Sequence, residues 1–313
     1  MKKIVRGLLV SSILLSTSVL ADYPDKSISI VVPSKAGGST DTTARLFTES
    51  AKKYWKDASF KIVNKPGAGG LIGFNVIDRS KADGYTLGLV FTPQLVAHIV
   101  AKRAKYNLDD FRVIGNVAED PGIVAVPADS DINSLADLVK KGKEKKLTVA
   151  VNGIGSDDFL AAKNFEELTG LAFNLMPTKG STEQKTAILG GHVDASFMNL
   201  SQMLSQHKAK KAKIIAVLTK ERSKYAPEIP TSVEQNYNVL MTATRGFVVQ
   251  KDVSDEVYKQ LVDIYNKVIN DPEFIERSSK SYIFLGPLDG EKYKAYLEEL
   301  QKNTQKVYDK NPW

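Results

Sequence analysis

The chain has 313 residues, 42% hydrophobic and 25% charged, with a net charge of +7. That is ordinary globular composition with enough apolar material for two medium domains, and it fits neither a disordered tail nor a mini-protein. There is no cysteine, which excludes disulfides, iron–sulfur clusters, thiolate zinc sites and a cysteine nucleophile together. The three histidines, His98, His192 and His207, are far apart and show no metal-ligand spacing, so neither a metal nor a cofactor is expected.

In chain order, Met1 to Arg6 is short and basic. An apolar run from Leu8 to Leu20 follows, and small residues at Val19 and Ala21 precede Asp22. This pattern predicts a cleaved secretory signal over residues 1–21. The run falls short of the roughly 20 residues a membrane-spanning helix needs. Cleavage would remove Lys2, Lys3 and Arg6 and reduce the positive excess by three charges. The remaining basic residues are scattered, without aromatic interleaving, so nucleic acid is not an expected partner. The cluster from Lys208 to Lys213 reads as a solvated helix end.

Ser27–Val32 is a β-branched run of strand length. The turn Ala36-Gly37-Gly38-Ser39-Thr40-Asp41 then leads into helical periodicity from Thr42 to Tyr54. The same order recurs at Phe60–Val63, the turn Pro66-Gly67-Ala68-Gly69-Gly70 and an apolar-periodic segment from Leu71 to Ser80. A third strand, Thr86–Phe91, ends at Thr92-Pro93. Further strands are predicted at Arg112–Val117, Gly122–Val126, Leu147–Val151, Leu171–Met176, Ala195–Met198, Ile214–Leu218 and Arg245–Gln250. Helices are predicted at Ser134–Lys143, Asp157–Thr169, Ser181–Leu189, Asp255–Asn270, Pro272–Ser279 and Gly290–Tyr308.

Alternating strands and helices imply an α/β fold with largely parallel sheets covered on both faces. Two lobes are expected, joined by extended crossovers at Arg112–Val126 and Asn238–Val249, with ligand bound between them. The division expected is 22–119 plus 243–313 for a discontinuous first lobe and 120–242 for the second.

Glycine turns at helix N-termini present unpaired N–H groups and the positive end of a helix dipole, so they can hold an anion without a cationic side chain. Ser34, Lys35, Ala36, Gly37, Gly38, Ser39 and Thr40 form one such candidate segment, with Asp41 expected to bind backbone donors instead of ligand. Gly67, Ala68, Gly69 and Gly70 form a second, and Thr92 lies at the next strand end. The second lobe adds Asn152, Gly155 and Ser156, then Lys179, Gly180 and Ser181, then Asn199. Each turn alone is a weak signal, since glycine often serves only positive φ. Helix capping is an equal reading for Ser156 and Ser181, and a turn role is equal for Asn199. The phosphate-binding patterns fail in detail, so nucleotide binding is unsupported.

Taken jointly and in order, Tyr23-Pro24, AGGSTD at 36–41, NKPGAGGLIG at 64–73, DGYTL at 83–87, GIGS at 153–156, KGS at 179–181, LGGHVDASF at 189–197 and PTSVE at 230–234 carry a resemblance. The sequence is similar to the periplasmic receptors of tripartite tricarboxylate transporters, the Bug family, over nearly all of the chain after residue 21. The resemblance implies a two-lobed, type II periplasmic-binding-protein fold that closes on an organic acid like a flytrap. A carboxylate would sit between the first two glycine turns, held by main-chain groups and ordered water, and would be handed to membrane permease subunits. The implied location is the periplasm, and a monomer is expected.

The family commonly has an aromatic residue where Ser34 stands, histidine where Phe159 stands, tyrosine where Thr178 stands, and an apolar or aromatic residue where Arg245 stands. Ser34 would open room, and Lys35 and Arg245 would add positive charge, pointing to a multiply charged or polar acid. The opposing reading leaves both cations in water. A sensing receptor that reports to a signalling partner would use the same pocket. An exported hydrolase lacks its parts: Ser156 has no evident histidine partner and no Gly-x-Ser-x-Gly elbow occurs. The pairs Asp109-Asp110, Asp157-Asp158 and Glu166-Glu167 read as surface carboxylates.

Overall fold

The β-branched runs do form strands, each buried according to its own alternation. In a computed structural model, which describes residues 23–56, 58–310 and 312–313, β1 (Ile28–Val32) points Ile28, Ile30 and Val32 into one apolar cluster and Val31 into another across the sheet. That is the signature of a sheet covered on both faces. The expected signal segment lies outside the described residues. Among the described residues no helix is long and apolar enough to cross a membrane.

α1 (Ser39–Tyr54) leads to β2 (Phe60–Asn64), α2 (Leu71–Asp78), β3 (Thr86–Phe91) and α3 (Gln94–Val100). β4 (Phe111–Pro127) follows, then α4 (Leu135–Glu144), β5 (Thr148–Val151), α5 (Asp157–Thr169), β6 (Asn174–Pro177), α6 (Ser181–Leu189), β7 (Ala195–Asn199), α7 (Leu200–Lys208) and β8 (Ala212–Val217). The chain returns through β9 (Thr242–Gln250), α8 (Asp255–Ile269), α9 (Pro272–Lys280), β10 (Leu285–Asp289) and α10 (Gly290–Lys310).

Two sheets share β4. In the first, β2, β1 and β3 are parallel and β9 runs antiparallel to β3. The front of β4 pairs antiparallel with β9, from Phe111 opposite Gln250 to Pro121 opposite Thr242, and with β10. In the second, β6, β5 and β7 are parallel, and the back of β4 pairs antiparallel with β7 and β8. The lobes are therefore parallel in their outer strands but antiparallel around β4, a correction to the largely parallel sheets expected.

Other departures have local causes. The strands expected at 112–117 and 122–126 are one 17-residue strand. Pro121 does not break it, because it sits where β4 leaves one set of neighbours and joins the next. α3 and β10 were not expected, and of α7 only the basic end at Lys208 was. The strand placed at 171–176 begins later, after Phe173 has turned into the core against Phe165 and Phe197. Late in the chain, Phe284 packs into the second lobe's core, and Val307 and Trp313 pack against it.

Candidate functional site

The glycine turns all follow the C-terminal ends of parallel strands: β1, β2, β5 and β6. They converge on one interlobe cleft of about 990 Å³, and every residue named from sequence as a binding candidate borders it. Ligand crevices of open α/β sheets lie outside these same strand ends.

Asp41 organises the first turn. It is 1% exposed and accepts from the Gly37 N–H (2.9 Å), Arg45 Nε (2.8 Å) and Asn64 Nδ2 (3.0 Å). Burial pushes its carboxyl up, but these hydrogen bonds outweigh burial and hold it below the ordinary range. With Gly37 fixed at φ +79°, the N–H groups of Ser39 and Thr40, in the first turn of α1 where no intrahelical acceptor exists, are presented at the cleft. Asp41 thus orders the turn, as expected from sequence.

The second turn is built from left-handed residues: Gly67 (φ +130°), Ala68 (+47°), Gly69 (+61°) and Gly70 (+93°). Gly70 is required twice over, because a Cβ there would stand 2.8 Å from both Phe74 and Phe91. Gly37 has open space around the same position. Gly70→Ala should therefore cost about 1–3 kcal/mol of stability, clearly more than Gly37→Ala, which incurs only the positive φ. Urea unfolding of the two variants checks the ordering, and equal midpoints would contradict it. His98 Nε2–H donates to the Gly69 carbonyl at 3.1 Å, and burial holds its pKa below the usual histidine range.

On the second lobe, Ser156 is a true helix cap. Its Oγ accepts from the Phe159 N–H (3.1 Å) and donates to the Gly153 carbonyl (2.9 Å). Ser181 is not, because Gly180 occupies the cap position of α6 and Ser181 is the first helical residue. Glu183 accepts from the Lys179 N–H (2.8 Å) and fixes that turn. Asn199 caps α7 and donates to Asp157 Oδ2 (2.6 Å), so its amide serves the protein's own turn.

Arg245 departs from the reading that leaves it in water. It is 6% exposed and donates to Ser39 Oγ (2.9 Å) and to Asp120 Oδ2 (3.2 Å), tying the first turn to the middle of β4. It is turned away from water, and the two bonds engage Nη2 of a guanidinium that borders the cleft. Lys35 is exposed at the rim, with Arg103 and Lys179. Asp157 and Asp158, expected at the surface, are 3% and 2% exposed. Burial, with the charge of Asp120, pushes Asp157 up to about 6, and burial with the charges of Asp157 and Asp120 pushes Asp158 well above the ordinary carboxylate range. Glu166 is also buried, pairing with Lys163 and accepting from the Phe173 N–H at 2.5 Å.

Sequence reasoning missed Gln94, His98, Arg103, Asp157, Gln202 and Trp313 as cleft residues. Ser34 Oγ and Gln94 Oε1, both bordering the cleft, are buried without a hydrogen-bond partner among the described residues.

Residues 44–308 match the model of the tripartite tricarboxylate transporter family receptor, TctC. The chain belongs to this receptor family. It is 30% identical to protein BugT of Bordetella pertussis over 74% of this chain and 73% of that one. The fold is similar to the structure of the periplasmic binding protein BugD, with TM-score 0.80 and 26% identity, covering 92% of this chain and 98% of that one. It is also similar to Rpa4515 of R. palustris with adipate, TM-score 0.81 and 21% identity, over 92% of this chain and 98% of that one.

Proposed function

We propose that this receptor captures a small organic acid in the interlobe cleft, in the periplasm, and delivers it to the membrane permease subunits of a tripartite tricarboxylate transporter. One observation carries the reading. The main-chain donors of the Gly37–Thr40 and Gly67–Gly70 turns border one cleft whose rim bears Lys35, Arg103 and Lys179. Such donors hold a carboxylate with little reorganisation, and the Ser34 hydroxyl, without a partner among the described residues, adds a donor at the cleft wall. The turns at Asn152–Ser156 and Lys179–Ser181 close on the ligand from the other lobe. The fold's similarity to a protein holding adipate adds support for an acid as the guest.

A thermal-shift panel of mono-, di- and tricarboxylates, amino acids and aromatic acids tests the reading. At about a hundred times its Kd, a ligand of the native state adds about 2.7 kcal/mol, which raises Tm by several degrees for a chain of this size. If no acid raises Tm while an uncharged solute does, the carboxylate reading falls.

A further inference from the structure

Trp313 enters the cleft from outside both sets of glycine turns. α10 packs along β4 and α3 of the first lobe, and its last turns cross to α5 of the second, where Lys310 pairs with Glu167. Beyond the helix, the main-chain oxygen of Trp313 accepts from Arg103 Nη2 on the first lobe at 2.9 Å. Its ring stands edge-to-face with Phe159 on the second, centroids 5.7 Å apart, and Tyr308 packs edge-to-face against it at 4.8 Å. A Cβ on Gly155 would stand 3.0 Å from the indole Nε1, so a bare residue in that turn and the seat of the indole go together. Trp313 borders the cleft, with its indole Nε1 beside Gly155 of the lining turn.

Main-chain donors recognise any carboxylate, so they cannot distinguish acids that share a charge. Discrimination by length has to come from an apolar wall, where one methylene changes selectivity by about tenfold or more. We propose that Trp313 is that wall: its indole packs against the hydrocarbon part of the bound acid and sets the chain length accepted. This rests on the carboxylate reading above. It adds a specificity-determining residue that lies beyond the glycine turns and reaches both lobes.

The sequence holds two tryptophans, Trp55 and Trp313. Trp55 packs against Tyr23 and Phe60 in the first lobe, away from the cleft. Trp55→Phe therefore leaves Trp313 as the indole reporter. Linear dicarboxylates from succinate to suberate are titrated into this variant while indole emission, acrylamide quenching and Tm are read on the same samples. The expected result is that each acid raising Tm also shifts the emission and lowers the quenching constant by about twofold or more. In the otherwise natural chain, Trp313→Ala should move the preferred acid to a longer homologue, with a relative affinity change of about tenfold.

An acid that raises Tm but leaves Trp313 emission and quenching unchanged overturns the assignment and leaves the carboxylate reading standing, as does an unaltered ranking in Trp313→Ala. If no acid of the wider panel of mono-, di- and tricarboxylates, amino acids and aromatic acids raises Tm in either protein, the carboxylate reading fails and the wall falls with it. Should Trp313→Ala fail to fold, the fluorescence and Tm comparison in Trp55→Phe decides.

Discussion

Truncating Arg245 to alanine is expected to destabilise the protein by about 3–5 kcal/mol, the usual consequence of removing one partner from a buried ion pair. Asp120 is 1% exposed, and without Arg245 it keeps hydrogen bonds from the N–H (3.1 Å) and hydroxyl (2.5 Å) of Ser201 but loses its cation. Asp157, already raised in pKa partly by the charge of Asp120, lies near enough to worsen the imbalance. Neutralising both ends should be milder, since a buried pair adds little net stability over uncharged groups that fill the space. Arg245→Met with Asp120→Asn should recover more than half of the loss. Urea midpoints at constant slope measure both. A loss below about 1 kcal/mol in Arg245→Ala would mean that the pair is solvated and not buried. Because Arg245 also holds Ser39 Oγ, calorimetry should show weakened binding of whichever acid stabilises the natural protein; affinity within about twofold of wild type would separate this anchor from recognition.

Asp158→Asn is expected to stabilise the protein at pH 8 by about 1–3 kcal/mol and to flatten a decline in stability that the natural chain shows as pH rises. Both Asp157 and Asp158 have folded pKa values above their unfolded ones, Asp157 through burial and the charge of Asp120, Asp158 through burial and the charges of Asp157 and Asp120. The folded state therefore binds their protons more tightly than the unfolded chain does. Their contribution is fully present below the ordinary aspartate range and is lost as pH climbs through about 6 for Asp157. A shift of that size corresponds to about 3 kcal/mol. Carboxylates held low by hydrogen bonds, such as Asp41 and Asp137, act in the opposite sense and lose their contribution only in acid. The decline is thus legible above about pH 5.

Asparagine can keep the acceptor that Asp158 offers to the Asn152 N–H (3.1 Å) and to Gln184 Nε2 (2.9 Å) while removing the charge. Denaturant unfolding between pH 5 and pH 8 decides, and a variant no more stable than wild type at pH 8 would show that this pair is not charged at a cost.

The buried pair marks where reading the sequence stopped working. The strand, glycine turn and helix units at β1–α1, β2–α2 and β5–α5 were legible because β-branched runs, positive-φ glycines and helical periodicity agree there. α3, with the sequence QLVAHIV, is too short and too uniformly apolar to show a face, and β10 carries Pro287 inside it. The candidate turns were read locally and the fold brings them to one cleft. Asp157 and Asp158 look in sequence like any solvated pair. Only Asn199 from the end of β7, Gln184 from α6 and the Asn152 N–H of the preceding turn make their burial tolerable. Arg245 likewise gives no sign of Asp120, 125 positions away, and Trp313 reaches the cleft only because α10 crosses between lobes.

β4 runs unbroken through both sheets, with β9 and β10 on its front half and β7 and β8 on its back half. No slack tether separates the two halves, so one cannot swing while the other stays undisturbed. The passage between the two sets of neighbours falls at Asp120 and Pro121, beside the Arg245 ion pair. Displacing one end of β4 therefore loads the hydrogen-bonded neighbours of the other.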